Sequence, residues 1–213
     1  MKFAREAWPF VVPFIALAII LGFSGYRVWA SVAAVLAILL LLFFRHPSRT
    51  FSGDPNSIIA AADGVVLKID TLEDAEVGPG KFHRVITFLS VFDVHTQRAP
   101  TQGEVIYSKL TDGRKVAAFN ADAGEVNARH LSVLKLPNGD LIGVRQIVGL
   151  VARRIVCYLK PGQEVQQGET IGLIKFGSRV DLLVPATYRI QVGKGDRMRS
   201  GETLVASPPE GKP

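Results

Sequence analysis

GQEVQQGETIG, Gly162–Gly172, returns as GDRMRSGETLV, Gly195–Val205, at an offset of 33 residues. Both copies have the form G-[polar]-x-[apolar]-x-x-G-E-T-[apolar]. Glycine permits the tight turns and the apolar positions face a core, so each copy predicts a glycine-turned hairpin that runs into a strand. Two copies do not make a solenoid array.

Outward from the repeat, the chain keeps the same texture back to Ile58. Short runs of β-type residues fall at Val65–Ile69, Val85–Leu89, Glu104–Tyr107, Leu131–Leu136, Leu141–Val148, Ile155–Leu159, Thr170–Ile174, Val180–Leu183, Thr187–Gln191 and Thr203–Ala206. Turn signals such as Ala-Asp-Gly, Gly-Pro-Gly, Pro-Asn-Gly and Pro-Gly separate them. No long helical period follows residue 50, so the expected fold is β-dominated. The repeated units resemble those of barrel-sandwich proteins such as the lipoyl and biotinyl carrier domains, without a Met-Lys-Met or Asp-Lys-Ala modification site.

The first 44 residues differ. Trp8–Phe23 and Val28–Phe44 are uncharged apolar runs of 16 and 17 residues, joined by Ser24-Gly25-Tyr26-Arg27. Each is a little short of the roughly 20 residues that span a bilayer as a straight helix. A membrane helical hairpin, spanning or re-entrant, is the economical reading. A signal peptide fits less well, because Arg45-His46-Pro47 follows the second run where a small-residue cleavage site would stand. Lys2 and Arg5 before the hairpin, and Arg45 and Arg49 after it, place both ends in the cytoplasm. The predicted organisation is a hairpin over 1–46, a β-dominated domain over 47–206 and a frayed tail over 207–213.

Of 213 residues 48% are hydrophobic, and the mean hydropathy is +0.25, which excludes a disordered chain. The net charge is +6. Residues 1–50 hold five basic side chains against Glu6, leaving 20 basic and 18 acidic among the other 163. A basic nucleic-acid-binding body is thereby excluded. The lone Cys157 excludes an intrachain disulfide framework and a cysteine-based zinc cluster. His46, His83, His95 and His130 include no His-x-His or His-Glu-x-x-His pair, so no metal site is expected. Taken singly, Asp63 before Gly64 reads as a turn aspartate, and Ser178 as part of a turn or bulge. No Gly-x-Ser-x-Gly elbow marks a hydrolase nucleophile.

Three segments in order change that reading. They are Ala62-Asp63-Gly64-Val65-Val66, then Phe92-Asp93-Val94-His95-x-x-Arg98-x-Pro100, then Gly168-Glu169-x-x-Gly172-x-x-x-Phe176-Gly177-Ser178-x-Val180. Together they resemble the phosphatidylserine decarboxylase proenzymes in their short bacterial and archaeal form, over most of residues 47–206. Arg45-His46-Pro47-x-Arg49 is similar to that family's entry into its catalytic domain. Longer relatives carry Leu-Gly-Ser-Thr at the third segment, so Arg179 replaces a threonine. They also carry His-x-x-His where this chain has His95 and Arg98.

The resemblance implies a pyruvoyl cofactor made from Ser178 by self-cleavage between Gly177 and Ser178, with both product chains staying associated. His95 is the implied base, oriented by Asp63. His95 is also the implied proton donor in converting phosphatidylserine to phosphatidylethanolamine. Arg98 is better read as a binder of substrate carboxylate or phosphate than as a base, since arginine stays protonated. Asn127 and Arg129 are further candidates for that binding, and His83 and His130 are the alternative bases. The implied partners are phosphatidylserine and membrane lipids, with the catalytic domain on the cytoplasmic side of the cell membrane. The sequence leaves monomer and homo-oligomer open. A membrane-anchored, non-enzymatic barrel-sandwich adaptor is the alternative; it gives Asp63, His95 and Ser178 no joint task and stays one 23.1 kDa chain.

Overall fold

The computed structural model describes residues 2–114, 116–118, 120, 123–149, 154–175 and 178–209. It divides into two compact units, Met1–Ser48 and Arg49–Pro213. In the first unit, α1 (Trp8–Phe23) and α2 (Arg27–Phe43) form the hairpin, with Gly25 in its turn at φ 84°. Val11, Ala33 and Ala37 are buried, while Ile19, Ile20, Phe23, Val28 and Trp29 are exposed. Such an apolar exterior needs a non-aqueous cover. The helical stretch Arg5–Phe23 is long and apolar enough to cross a membrane; Arg27–Phe43 is shorter. Two short strands, β1 (Lys2–Phe3) and β2 (Arg45–His46), pair at the open end.

The second unit is made of strands. In chain order they are β3 (Ile58–Ile59), β4 (Gly64–Glu73), β5 (Lys81–Leu89), β6 (Thr96–Arg98), β7 (Gly103–Thr111), β8 (Arg129–Lys135), β9 (Leu141–Val148), β10 (Arg154–Cys157), β11 (Glu164–Val165), β12 (Thr170–Lys175), β13 (Ser178–Pro185), β14 (Arg189–Ile190), β15 (Arg197–Met198) and β16 (Leu204–Ser207). A four-residue helix, α3 (Ala123–Val126), is the only helix among the described residues here. All ten expected strands are present. The chain is β-dominated after an N-terminal apolar hairpin. The tail expected over 207–213 begins inside β16, and its last four residues lie outside the described ones.

Eight strands form one antiparallel sheet in the order β11-β7-β8-β9-β13-β5-β4-β15. Two three-stranded sheets, β10-β12-β6 and β14-β16-β3, accompany it. The sequence repeat explains this arrangement. The first copy puts β11 on the β7 edge and sends β12 to one small sheet. The second puts β15 on the β4 edge and sends β16 to the other. The backbone bonds match position for position: Gly162 N–H to Val105 O and Gly168 N–H to Ala99 O in one copy, Gly195 N–H to Val66 O and Gly201 N–H to Ala60 O in the other. Each β11 or β15 strand also faces a glycine with positive φ, Gly103 or Gly64.

Alternation along β13 sets the two faces of the sheet. Val180, Leu182 and Val184 join the main core with Val85, Leu89, Val144 and Val148. Leu183 joins a second cluster with Val77, Phe82, Leu131 and Val133 on the other face.

Candidate active site

Ser178 opens β13, the strand flanked by β9 and β5 at the middle of the large sheet. It lies opposite Leu89 on β5 and Val148 on β9, on the main-core face. It is wholly buried, and among the described residues its Oγ has no hydrogen-bond partner. A buried hydroxyl in that state costs about 1–3 kcal/mol, so it needs a reason to be there. Gly177, the other half of the expected cleavage site, lies outside the described residues.

Arg179 points the opposite way. Its guanidinium forks onto Asp181, at 2.6 Å from Nε and 2.8 Å from Nη2, and both side chains are almost fully buried. A bidentate pair satisfies both charges at once, which a buried arginine requires. The residue after Ser178 is thereby fixed on the far face.

His95 reaches the same region from the position just before β6. Its carbonyl accepts from Ile174 N–H at 3.4 Å, at the end of β12, four residues before Ser178. Its Nδ1 is 2.9 Å from the carbonyl of Asp93, a contact that favours the Nδ1–H tautomer. Gln97 ties this strand across the core: its Nε2 donates to His95 O at 2.8 Å, and its Oε1 accepts from Gln146 Nε2 at 2.8 Å. Gln146 stands opposite Val180 on β9, so β6 is pinned over the face that carries Ser178.

The resemblance has Asp63 orienting His95, but the described bonds of Asp63 run to Arg49 and Ser200, and the described partner of His95 Nδ1 is the Asp93 carbonyl. Arg49 grips both Asp63 oxygens, Nη1 on Oδ1 and Nη2 on Oδ2 at 2.8 Å. Ser200 N–H adds a bond to Oδ1 at 2.8 Å, and Arg49 also donates to Ser200 O at 2.9 Å. Those bonds engage both carboxylate oxygens. The Asp63 contact raises the Arg49 pKa above its ordinary value, against the opposing effect of burial. Arg49 reads in sequence as a membrane-flanking charge; in the fold its side chain is 9% exposed and neutralised.

Arg98 is buried nearby and donates to Gly168 O at 2.8 Å. Burial and the Arg49 charge lower its pKa, while Asp63 and Glu202 oppose that. Asn127 spends its side chain on backbone: Oδ1 accepts from Val116 N–H at 2.9 Å, and Nδ2 donates to Val116 O at 2.8 Å and Val148 O at 2.7 Å. Arg129 stands opposite Ile147, in the row that carries Arg179, and so faces away from Ser178. It donates to Glu125 O at 2.9 Å.

Comparison with known proteins gives the family. The sequence profile of the family described as phosphatidylserine decarboxylase matches residues 36–206. The chain belongs to the phosphatidylserine decarboxylase family. The phosphatidylserine decarboxylase proenzyme of Symbiobacterium thermophilum is 38% identical over 97% of this chain and 96% of its own length. Those of Desulfotalea psychrophila and a Geobacter species (strain M21) are 35% and 36% identical, each over 95% of this chain and 94% of the relative.

In this member of the phosphatidylserine decarboxylase family, His83 and His130, the alternative bases, are set apart from Ser178. His83 lies opposite Val184, six residues along β13 from Ser178, which is roughly 20 Å of strand. Its Nδ1 is 2.9 Å from Thr71 Oγ1. His130 stands two strands away, across Gln146, between the Ser108 and Ser132 hydroxyls at 3.4 Å. Burial lowers its pKa. Arg49, Ser200, Gln97 and Gln146 are site-building residues that the sequence alone does not single out. The similarity of Arg45-His46-Pro47-x-Arg49 to the family's entry segment is the one signal that touches any of them.

Proposed function

We propose that this chain is a self-maturing phosphatidylserine decarboxylase. Its Ser178 becomes a pyruvoyl group, and the observation that carries the reading is that residue's buried, unbonded hydroxyl. A pyruvoyl group fits there because the oxygen needed to make it is already withdrawn from water and engaged with no other described group. Maturation begins when Ser178 Oγ attacks the Gly177 carbonyl carbon, while His95 takes the hydroxyl proton. The Gly177–Ser178 C–N bond breaks as the nitrogen gains a proton, leaving an ester and a free amine. Loss of the Ser178 Cα proton expels the Gly177 carboxylate from Cβ. Water then replaces ammonia at the resulting dehydroalanine, leaving a ketone at residue 178.

That group supplies a carbonyl that condenses with the substrate amine and accepts the electrons left when carbon dioxide departs. The chain's own residues do the rest. His95 delivers the proton that replaces the carboxyl group on the substrate carbon. Arg98 holds the phosphate or carboxylate of the lipid. Asp63 acts through Arg49 and Ser200, compensating the second guanidinium beside Arg98. Asn127 serves from behind by fastening Val148, the strand partner of Ser178, and Arg129 stabilises the far face of the sheet. The hairpin anchors the chain with Lys2, Arg5 and Arg45 on the cytoplasmic side.

Intact-mass measurement of the purified protein tests the reading. It should give chains of 177 and 36 residues, the smaller blocked by a pyruvoyl end, and carbon dioxide release from phosphatidylserine vesicles. Ser178→Ala, which has no oxygen to form the ester and no group to eliminate, should remain one inactive chain of about 23.1 kDa. Cleavage of that variant at the same bond would overturn the mechanism.

A further inference from the structure

Two buried amides face each other in the apolar core beside His95. Gln97 is wholly buried and Gln146 nearly so. Gln146 Nε2 donates to Gln97 Oε1 at 2.8 Å, and Gln97 Nε2 donates to the His95 carbonyl at 2.8 Å. A carbonyl can only accept, so Gln97 turns its NH2 toward His95 and its oxygen toward Gln146, and both amide orientations are fixed. The His95 ring is held from the other side, with Nδ1 at 2.9 Å from the Asp93 carbonyl. The residue is thus gripped at its backbone carbonyl and at one ring nitrogen.

The fold does not require amides there. The likeness of the two repeat copies extends to the strands that receive them. Ile59 N–H donates to Pro100 O just as Arg98 N–H donates to Ala61 O, and Ala60 O and Ala99 O accept from the equivalent Gly201 and Gly168. Exchanging the halves therefore puts Ile58 in the place of Gln97, and the repeat puts Val205 in the place of Gly172. Ile58 and Val205 are both buried in the main core. Where one half is filled by hydrocarbon, the half that carries His95 has Gln97 opposite Gly172. A Cβ on Gly172 would meet the Val156 carbonyl oxygen and stand 3.2 Å from Gln146 Nε2, so the glycine leaves the amide its room. Apolar side chains of the same shape would serve stability as well, so the amides answer to something else.

We propose that Gln97 is a positioning residue for the decarboxylation, with Gln146 setting the direction of its amide, and that the pair holds His95 where its ring serves residue 178. This rests on the reading of His95 as the proton donor. With Nδ1 occupied, Nε2 is the nitrogen that carries the proton to the substrate carbon. A misplacement of about 1 Å costs such a group about 10²-fold in rate.

The test combines Gln97→Met with Gln146→Met in the full chain in detergent, which exchanges both amides for apolar side chains of similar volume and leaves neither unpaired. The first measurement is ¹⁵N NMR of histidine-labelled protein in a Ser178→Ala background. The chain has four histidines, and loss of a signal in His95→Ala assigns the one required. The parent should show His95 as the single Nδ1–H tautomer; the double variant should show a mixture, with the urea midpoint at or above the parent's. An unchanged tautomer overturns the proposal, as does a lowered midpoint, which would make the amides ordinary structural bonds. This result is read whether or not the chain matures, so failure of the pyruvoyl reading leaves it standing. In the second measurement, carbon dioxide release per matured site from phosphatidylserine micelles should fall about 10²-fold in kcat at parental KM. A raised KM with parental kcat would place the amides in substrate binding and overturns the proposal. Parental kcat in a variant with mixed tautomers overturns it too, and turnover of His95→Ala then tells whether His95 itself has a part. Should the double variant fail to fold, Gln146→Met alone, which keeps the Gln97–His95 bond but releases the far end of the amide, reads the same split at smaller size.

Discussion

Replacing Arg49 by Met should unsettle the site. Arg49 and Asp63 have side chains 9% and 11% exposed, and the pair is bidentate. Removing one member of a buried pair leaves the other charged and unpaired, at a cost of about 3–5 kcal/mol. The slight exposure and the surviving Ser200 N–H bond to Asp63 put the figure for Arg49→Met near the lower end, about 3 kcal/mol. Asp63→Leu strands Arg49 and takes the acceptor from Ser200 N–H, for a similar total. The double variant removes both charges and should recover about 2 kcal/mol of the summed losses. Pulse proteolysis in urea reads this on the detergent-solubilised full chain, in a Ser178→Ala background that keeps one polypeptide. With an m-value of about 2 kcal/mol/M, each single variant moves the midpoint down by about 1.5 M. Single losses below about 1 kcal/mol, or additive effects in the double variant, would refute the view that this pair holds the site together.

Three further outcomes follow from the geometry. His95→Ala should mature slowly, and carbon dioxide release per matured site should fall about 10²–10⁴-fold; full maturation with parental turnover would remove His95 from both roles. Arg84 and Lys68 lower the Asp70 carboxyl from 3.8 to about 2, so its contribution is complete above about pH 4 and fades as the pH falls toward 2. Asp70→Asn should therefore lower stability at pH 7 by no more than about 1 kcal/mol, because the pair is partly exposed, and the deficit measured by urea midpoint should shrink below pH 4. Gly64→Ala, at φ 144° with its new Cβ against the Phe88 carbonyl, should cost about 2 kcal/mol or more and block maturation, read as cleaved fraction on a denaturing gel.

The longer strands were legible because each carries its own alternation or an apolar run between turn residues. The two-residue strands β3, β11 and β15 are too short to show a period. β6 is a different case: Thr96-Gln97-Arg98 is polar and buried, and what buries it comes from Gln146 and Gly168, far along the chain. The order β9-β13-β5 is likewise a long-range fact with no local sign. For the site, Ser178 and His95 stand out only through the ordered segments around them, since either residue alone reads as a turn or packing residue. The Arg49 pair has no local sign, because its partners lie 14 and 151 positions away and a basic residue after an apolar run suggests a membrane flank first. The Arg179–Asp181 fork was open to reading, as two opposite charges at i and i+2 share one face of a strand.

The place of β13 has a consequence for the lifetime of the matured protein. It pairs with β5 over eight positions and with β9 over six, and both neighbours lie before the proposed cut. Once the bond before Ser178 is broken, those ladders join two separate molecules, and β15 and β16 are clasped by β4 and β3 in the same way. The 36-residue product, which carries β13 to β16, is then woven into two sheets rather than docked on them, and it cannot leave while they are intact. A fresh copy cannot be exchanged in, and a spent or chemically damaged residue 178 cannot be renewed. Each molecule makes its reactive end once, and its working life closes with unfolding instead of dissociation.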